Sequence, residues 1–344
     1  MAASNNRTHV VLSMAPLGAG WLERLQKISP GLRIEQRSPR DLNAIPDDLW
    51  REVEILYTFG RKLPSPEQVP HLRWVQLYSA GANQVQNQPL FRTEVIFTTA
   101  SGVHAINIAE YVFTVVLAWF HRFPTMLEWQ HKGEWPPDLQ SQTLFMPQEL
   151  WQKTIGIVGY GSIGRQVAHL ASGFGMRILA MQRGTDHRDH GFQFPGVGDP
   201  DGSLPERYYA PDQLHAMLSE SDIVVIAVPL TSQTQGMFDR AAFQAMKPTA
   251  FLVNIARGDV CNEADLIRAL EEKQIAGAAL DVFHQEPLPS DSPLWHLPNV
   301  FISPHISGLT PEYDNRVAMI FEENLRRYLA GEPLYNVVDK EQGY

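Results

Sequence analysis

The sequence predicts an α/β protein with two doubly wound parallel-sheet domains, and three observations carry that expectation. The chain has 344 residues, too long for one ordinary domain and comfortable for two. Short apolar strands alternate with helical patterns in two separate series, as parallel sheets with crossover helices do. At the head of the second series, Gly159-Tyr160-Gly161-Ser162-Ile163-Gly164 stands between a strand and a helix.

Elements follow in order. Val10-Val11-Leu12 reads as a short strand, and Trp21, Leu22, Leu25 and Ile28 share one helix face. Val53 to Phe59 reads as the second strand, Pro66 suits the first turn of a helix, and Arg73 to Leu77 reads as the third strand, running into Ser79-Ala80-Gly81-Ala82. Ile106 to Phe123 is a long apolar helix pattern. Gly133 to Pro147, with Trp135, Pro136, Pro137 and Pro147 among polar residues, reads as an arm rather than a core element. The second series has strands at Ile155–Val158, Ile178–Met181, Ile223–Val228, Phe251–Asn254, Ala278–Asp281 and Val300–Ser303. Between them lie helical faces such as Ile163, Val167, Leu170 and Ala171, or Leu266, Ile267 and Leu270. A last helix, Pro311 to Leu329, stops at Gly331 and is expected to return to the first block. Gly184 to Tyr209, rich in Gly, Asp, His and Pro, is long for a strand–helix connection.

The composition restricts partners. Apolar residues make up 44% and charged residues 19%, a normal globular balance. The formal net charge of −10 repels phosphate backbones and anionic lipid, so neither nucleic acid nor membrane is an expected partner. An anionic ligand must then be held by local cations and backbone N–H groups. The single cysteine, Cys261, excludes an intramolecular disulfide, fits a reducing cytoplasm and reads as a small buried apolar residue. Met1 to Thr8 is polar and shows no signal-peptide pattern. The longest apolar stretch, Tyr111 to Phe120, is about half the ~20 residues of a membrane-spanning helix. A soluble, cytoplasmic protein is expected.

The glycine fingerprint has a physical logic. Gly159 allows a tight turn, Gly161 lets a pyrophosphate approach the backbone, and Gly164 lets the helix pack closely on the strand. The helix N-terminus offers unpaired N–H groups and a partial positive charge to the phosphates. Domains that hold NAD usually end the next strand with an acid for the ribose 2′-OH. Here Met181-Gln182-Arg183 stands there and no acid is present; the nearest, Asp186, lies beyond Gly184. Gln182 would not repel a 2′-phosphate and Arg183 would attract one, with Arg188 as a second cation. The sequence therefore favours NADP(H), with NAD(H) served by Asp186 as the alternative.

Three strands of the second series end near polar residues suited to one reaction: Arg257 in Asn254-Ile255-Ala256-Arg257-Gly258, Glu286 after Asp281-Val282-Phe283-His284-Gln285, and His305 in Ser303-Pro304-His305-Ile306-Ser307-Gly308. Ligands of open parallel sheets bind outside the carboxyl ends of the strands, so these residues are expected to converge. Arg257 can clamp a carboxylate through paired hydrogen bonds. His305 can pass a proton to a carbonyl oxygen as hydride reaches the carbon. Glu286 can bond the other ring nitrogen and orient the imidazole. Singly, each residue also reads as surface charge, turn or structural histidine.

With these motifs the chain resembles the D-isomer-specific 2-hydroxyacid dehydrogenase family, in particular its glyoxylate/hydroxypyruvate reductase-like members. The match runs from about Val53 and includes Val228-Pro229-Leu230-Thr231, Leu280-Asp281-Val282-Phe283, Glu286-Pro287, Leu297-Pro298-Asn299-Val300 and Pro304-His305. The resemblance implies hydride transfer between NAD(P)H and a small 2-keto or 2-hydroxy acid. It implies a discontinuous flavodoxin-like substrate domain over 1–102 and 309–344. It also implies a Rossmann-type dinucleotide-binding domain over 103–308, with the cleft between the two domains. Arg257, Glu286 and His305 are the implied catalytic set, and the backbone at Ala80 and Gly81 would hold the substrate carboxylate with Arg257 and His305. Asp281 and the backbone at Ala256 would hold the nicotinamide carboxamide. Gly159 to Gly164, Gln182, Arg183, Pro229, His305 and Gly308 complete the implied cofactor contacts. A homodimer is implied, embraced through the helix and arm around 106–150, where Trp135 lines an interface or a neighbour's site. Tyr57 stands where an arginine would suit a phosphorylated substrate.

Some stretches carry other readings. Asp186-His187-Arg188-Asp189-His190 has histidines spaced for a metal, but flanking glycines argue for a solvated loop, and no metal is expected. Arg326-Arg327 reads as a solvated helix end. A dinucleotide-sensing, corepressor-like binding protein, and a formate- or phosphite-type dehydrogenase, are the alternatives on the same fold.

Overall fold

A computed structural model of the chain describes residues 8–18, 20–37, 42 and 44–341. The polar segment before Thr8 lies outside the described residues. The chain divides into two compact units, Met1–His104 with His190–Phe192 and Thr310–Tyr344, and Ala105–Asp189 with Gln193–Leu309.

The first unit opens with β1 (His9–Ser13), α1 (Trp21–Gln26), β2 (Leu32–Gln36), α2 (Asp47–Glu52), β3 (Ile55–Thr58), β4 (Trp74–Leu77) and β5 (Ile96–Thr98). Its five strands are all parallel, in the order β2-β1-β3-β4-β5. This is the flavodoxin-type doubly wound order. Every residue of β3 and β4 is buried, as strands covered on both faces must be.

The second unit contains α3 (Ala105–Phe120), α4 (Phe123–Lys132), α5 (Asp138–Leu144), β6 (Thr154–Val158), α6 (Ser162–Gly173), β7 (Arg177–Met181), β8 (Arg207–Tyr209), α7 (Leu214–Glu220), β9 (Ile223–Ile226), α8 (Arg240–Ala245), β10 (Phe251–Asn254), α9 (Glu263–Glu271), β11 (Gly277–Leu280) and β12 (Val300–Ile302). Its seven-stranded sheet runs β12-β11-β10-β9-β6-β7-β8, parallel throughout. Chain order reverses between β6 and β9, the switch point where such sheets bind ligands. One core holds Leu218, Phe243 and Leu270 from α7, α8 and α9. Another holds Val112, Val116, Val167 and Ala171 from α3 and α6.

The final helix, α10 (Tyr313–Ala330), belongs to the first unit. Its Phe321 stacks on Tyr57 with ring centroids 4.6 Å apart, and its Asn324 Nδ2 donates to Gln76 Oε1 at 3.2 Å. Gly331 closes it with a φ of 72°, where glycine escapes the Cβ penalty of the left-handed region.

Several sequence expectations need correction. The first sheet has five strands, not three. In β2 only Ile34 is buried, and β5 has three residues; both are edge strands with little apolar signal. Pro66 begins a turn, not a helix. The helix expected to reach Phe123 stops at Phe120 and restarts, because Arg122 adopts a φ of 57°. The second sheet gains β8 at the end of the long Gly184–Tyr209 segment. Arg327 is no solvated helix end: it donates to Glu323 and to the Tyr335 hydroxyl and lies over the Tyr335 ring.

The Gly184–Tyr209 segment is not simply solvated either. Asp199, 4% exposed, accepts from the Tyr160 hydroxyl at 2.6 Å and from the N–H groups of Ser203 and Leu204 at 3.1 Å. Its carbonyl accepts from Arg165, which is 2% exposed, at 2.7 Å. His187 stacks on Tyr208 with centroids 3.5 Å apart. Burial and the bond to Asp199 hold the Tyr160 phenol far above its usual titration range, so it stays a donor. The segment is thus fastened to the first turns of α6. Replacing Asp199 by Ala strands the buried Tyr160 hydroxyl, and an unmade buried hydrogen bond costs about 1–3 kcal/mol. The Asp199→Ala protein is expected to unfold at lower urea and to be cut sooner by protease between Gly184 and Tyr209. An unchanged urea midpoint would refute the fastening.

Candidate active site

The fingerprint lies at the end of β6. Gly159 has a φ of 104°, and a Cβ there would meet the Ala227 carbonyl at 2.8 Å. A Cβ on Gly164 would meet the Gly159 carbonyl oxygen at 2.2 Å, so α6 packs onto the turn only without one. A Cβ on Gly161 would meet nothing within 4 Å. That open space, at the N-terminus of the 12-residue α6, suits a pyrophosphate and fits the residues to a dinucleotide. The Tyr160 side chain turns into the Asp199 cluster, leaving its backbone to the fingerprint.

At the end of β7, Gln182 is held on both sides of its amide: Nε2 donates to the Asp186 carbonyl at 3.0 Å, and Oε1 lies 3.3 Å from His187 Nδ1. Arg183 and Arg188 are exposed. Pro229, after β9, is exposed, and its carbonyl accepts from Thr234 Oγ1 at 2.6 Å.

The turn after β10 is shaped by Asn254, 1% exposed, whose Oδ1 accepts from Ala256 N at 3.1 Å and whose Nδ2 donates to the Arg257 carbonyl at 3.2 Å. Arg257 emerges exposed, with Nη1 on the Ala256 carbonyl at 2.6 Å. Next to it, a Cβ on Gly258 would sit 1.9 Å from the Phe283 carbonyl carbon. The backbones that carry Arg257 and Glu286 therefore touch directly. His284 pairs with Asp259 beside this contact, and that hydrogen bond raises the imidazole above its ordinary titration range.

After β11, Glu286 uses both carboxylate oxygens. Oε1 accepts from Phe283 N at 3.1 Å, and Oε2 accepts from His305 Nδ1 at 2.8 Å. Both side chains keep over a third of their surface exposed, at 38% and 46%. With Nδ1 of His305 committed to Glu286, Nε2 is the ring nitrogen left for another partner. Asp281, expected at a carboxamide, is fully buried; its oxygens accept from Ser303 Oγ at 2.5 Å and from the N–H groups of Ile306 and Ser307 at 2.9 Å. It anchors the loop that carries His305, and Gly308 lies at the far end of that loop.

In the first unit, Ala80 and Gly81 follow β4, and among the described residues neither N–H has a partner. Ser79 Oγ donates to the Gly81 carbonyl at 2.7 Å and accepts from Gln84 Nε2 at 2.6 Å, fixing that turn. Among the described residues no group of three His, Cys, Asp or Glu is placed to hold a metal ion, and no helix is long and apolar enough to cross a membrane. Cys261 is buried, which pushes its thiol up to about 12.

Sequence reasoning gave no role to Asn254, Gly258, Asp199 or Ser303. A polar residue closing an apolar strand, or a glycine directly after a candidate side chain, is the signal that could have found the first two.

Comparison with known proteins defines the class. Residues 113–307 match the family model described as D-isomer specific 2-hydroxyacid dehydrogenase, NAD binding domain. The chain belongs to the D-isomer specific 2-hydroxyacid dehydrogenase family and is an NAD(P)-dependent oxidoreductase acting on the CH–OH group of 2-hydroxy acids. Among its relatives is the glyoxylate reductase of Pyrococcus furiosus, 36% identical over 282 residues, covering 80% of this chain and 78% of that one. Glyoxylate/hydroxypyruvate reductase A of Salmonella newport is 28% identical over 95% of this chain and 96% of its own. A D-isomer specific 2-hydroxyacid dehydrogenase from Xanthobacter autotrophicus Py2, solved in complex with NADPH and MES, superposes with a TM-score of 0.75, 28% identity and coverage of 98% and 100%.

The Gly258 contact yields a test. Gly258→Ala must push the Arg257 and Glu286 turns apart, and an ångström of misplacement can cost about 10²-fold in rate. A fall in kcat/KM of that order is expected in the folded variant; near-normal kinetics would show that the two turns move independently.

Proposed function

We propose that this protein is an NADPH-preferring reductase of small 2-keto acids, with glyoxylate and hydroxypyruvate as its substrates. The observation that carries the proposal is the Glu286–His305 pair at 2.8 Å, set at the end of a sheet that bears a dinucleotide fingerprint. The names of the Pyrococcus and Salmonella relatives support the substrate class, and Tyr57, buried at the end of β3, gives no cation for a phosphorylated one. The Pyrococcus, Salmonella and Xanthobacter relatives give no support to a corepressor-like sensor or to a formate- or phosphite-type dehydrogenase.

In this reading, Arg257 takes the substrate carboxylate. A bound nicotinamide supplies the hydride to C2 of the keto acid. His305 gives the Nε2 proton to the carbonyl oxygen, which completes the hydroxyl and leaves the imidazole neutral. Glu286 accepts from Nδ1 and keeps the ring in the tautomer with that nitrogen protonated. Gly159 to Gly164 hold the phosphates, Gln182 and Arg183 the adenosine ribose. Pro229, Ala256, His305 and Gly308 line the nicotinamide end, and Asp281 serves that end through the loop it anchors. The first unit acts as the substrate domain and the second as the dinucleotide domain.

A homodimer is part of the proposal. Neither α4 nor α5 has a buried residue, yet this arm carries Phe123, Leu127, Trp135, Leu139 and Met146, exposed between 44% and 91%. So much exposed apolar surface favours a protein interface. A cytoplasmic site of action fits the single buried cysteine.

Two outcomes test the reading. His305→Ala is expected to lose at least ~10²-fold in turnover while NADPH still binds, the usual scale of acid–base catalysis. Near-normal turnover would remove His305 from the chemistry. For the cofactor, kcat/KM with glyoxylate is expected to be higher with NADPH than with NADH, and Arg183→Ala should reduce the NADPH value selectively. A preference for NADH would show that Asp186, not Arg183, serves the ribose.

A further inference from the structure

The turn that presents His305 is not one the chain adopts readily. His305 has a φ of 54°, in the left-handed region where a Cβ is crowded. Its own N–H reaches only as far as the Ser303 carbonyl, at 3.0 Å. The conformation is imposed from outside, by Asp281. Ser303 on one side of His305, and Ile306 and Ser307 on the other, all donate to that buried carboxylate.

A second brace comes from α3. The Tyr111 hydroxyl is 2.6 Å from Ser303 Oγ. Ser303 has one proton and spends it on Asp281 at 2.5 Å, so Tyr111 must be the donor. Burial holds the Tyr111 phenol above its usual range and keeps that proton in place. The result is a one-way chain from Tyr111 through Ser303 to Asp281, in which each bond polarises the next. Four residues earlier, on the same face of α3, Asn107 Nδ2 donates to the carbonyls of Ser307 at 2.8 Å and Leu309 at 3.4 Å. The helix thus grips the His305 loop on both sides of the histidine.

We infer that Tyr111, with Asn107, is a positioning residue for proton transfer, acting through Ser303 and Asp281 on the backbone of His305. The inference rests on His305 being the acid/base. Tyr111 reaches the loop through Ser303, and its hydroxyl works by fixing where the imidazole sits and by keeping Nδ1 on Glu286. An ordinary core tyrosine at this place would affect stability and leave the chemical step alone.

The test is a set of double mutants assayed with NADPH and glyoxylate. Tyr111→Phe keeps the ring and removes the hydroxyl. Its kcat is expected to fall about fivefold, the scale of one ordinary hydrogen bond, with the KM for NADPH moved less than about twofold. In the His305→Ala background the same change should remove nothing more from the residual rate. Ser303→Ala should lower kcat alone, and adding Tyr111→Phe to it should have no further effect. Equal losses from Tyr111→Phe with and without His305, additive losses with Ser303→Ala, or an unchanged kcat in Tyr111→Phe would each overturn the inference. A crippled His305→Ala beside a normal Tyr111→Phe overturns it alone. A near-normal His305→Ala overturns the acid/base reading and takes the inference with it.

Discussion

Asn254, Leu280 and Ile302 stand abreast in the parallel sheet, each in register with its neighbour. Most of what the site is follows from that constraint. Parallel strands all end on the same edge, so Arg257, Glu286 and His305 leave the sheet side by side although the sequence separates them. No long-range attraction between the three is needed to bring them together. The backbone hydrogen bonds of β10, β11 and β12 set their spacing.

The turns beyond those strands carry the finer adjustment, and each is held by a polar side chain, buried at Asn254 and Asp281 and half-exposed at Glu286. Asn254 shapes the first, Glu286 folds back on Phe283 N in the second, and Asp281 gathers the third. A buried carboxylate is costly unless its lone pairs are used, and Asp281 uses both oxygens on one loop. The loop in turn gains a shape its own backbone would not choose at His305. The His305 imidazole is held through Nδ1 by Glu286, while the side chain stays 46% exposed.

The cofactor side shows a different solution. Gly159 and Gly164 are packed against backbone while Gly161 faces open space, so three glycines in one motif answer three separate steric demands. Around them the Gly184–Tyr209 segment adds a local layer through Asp199, Arg165 and Tyr160. That layer uses the side chain of a fingerprint residue, Tyr160, for structure while its backbone stays with the motif.

The sequence by itself determined the class of fold, the fingerprint and the candidate set Arg257, Glu286 and His305. Strand alternation, strand-to-glycine spacing and residue type are local properties that a linear chain displays. Edge strands such as Leu32–Gln36 and Arg207–Tyr209 escaped it, because half-exposed or very short strands carry little apolar pattern. Only the tertiary structure decided that Asp281 holds a loop, that Asn107 and Tyr111 reach that loop from α3, and that Gly258 lies against Phe283. The physical reason is common to all of them: a buried hydrogen bond or a backbone contact depends on which atoms the fold brings within about 3 Å, and no residue type announces its partner in advance.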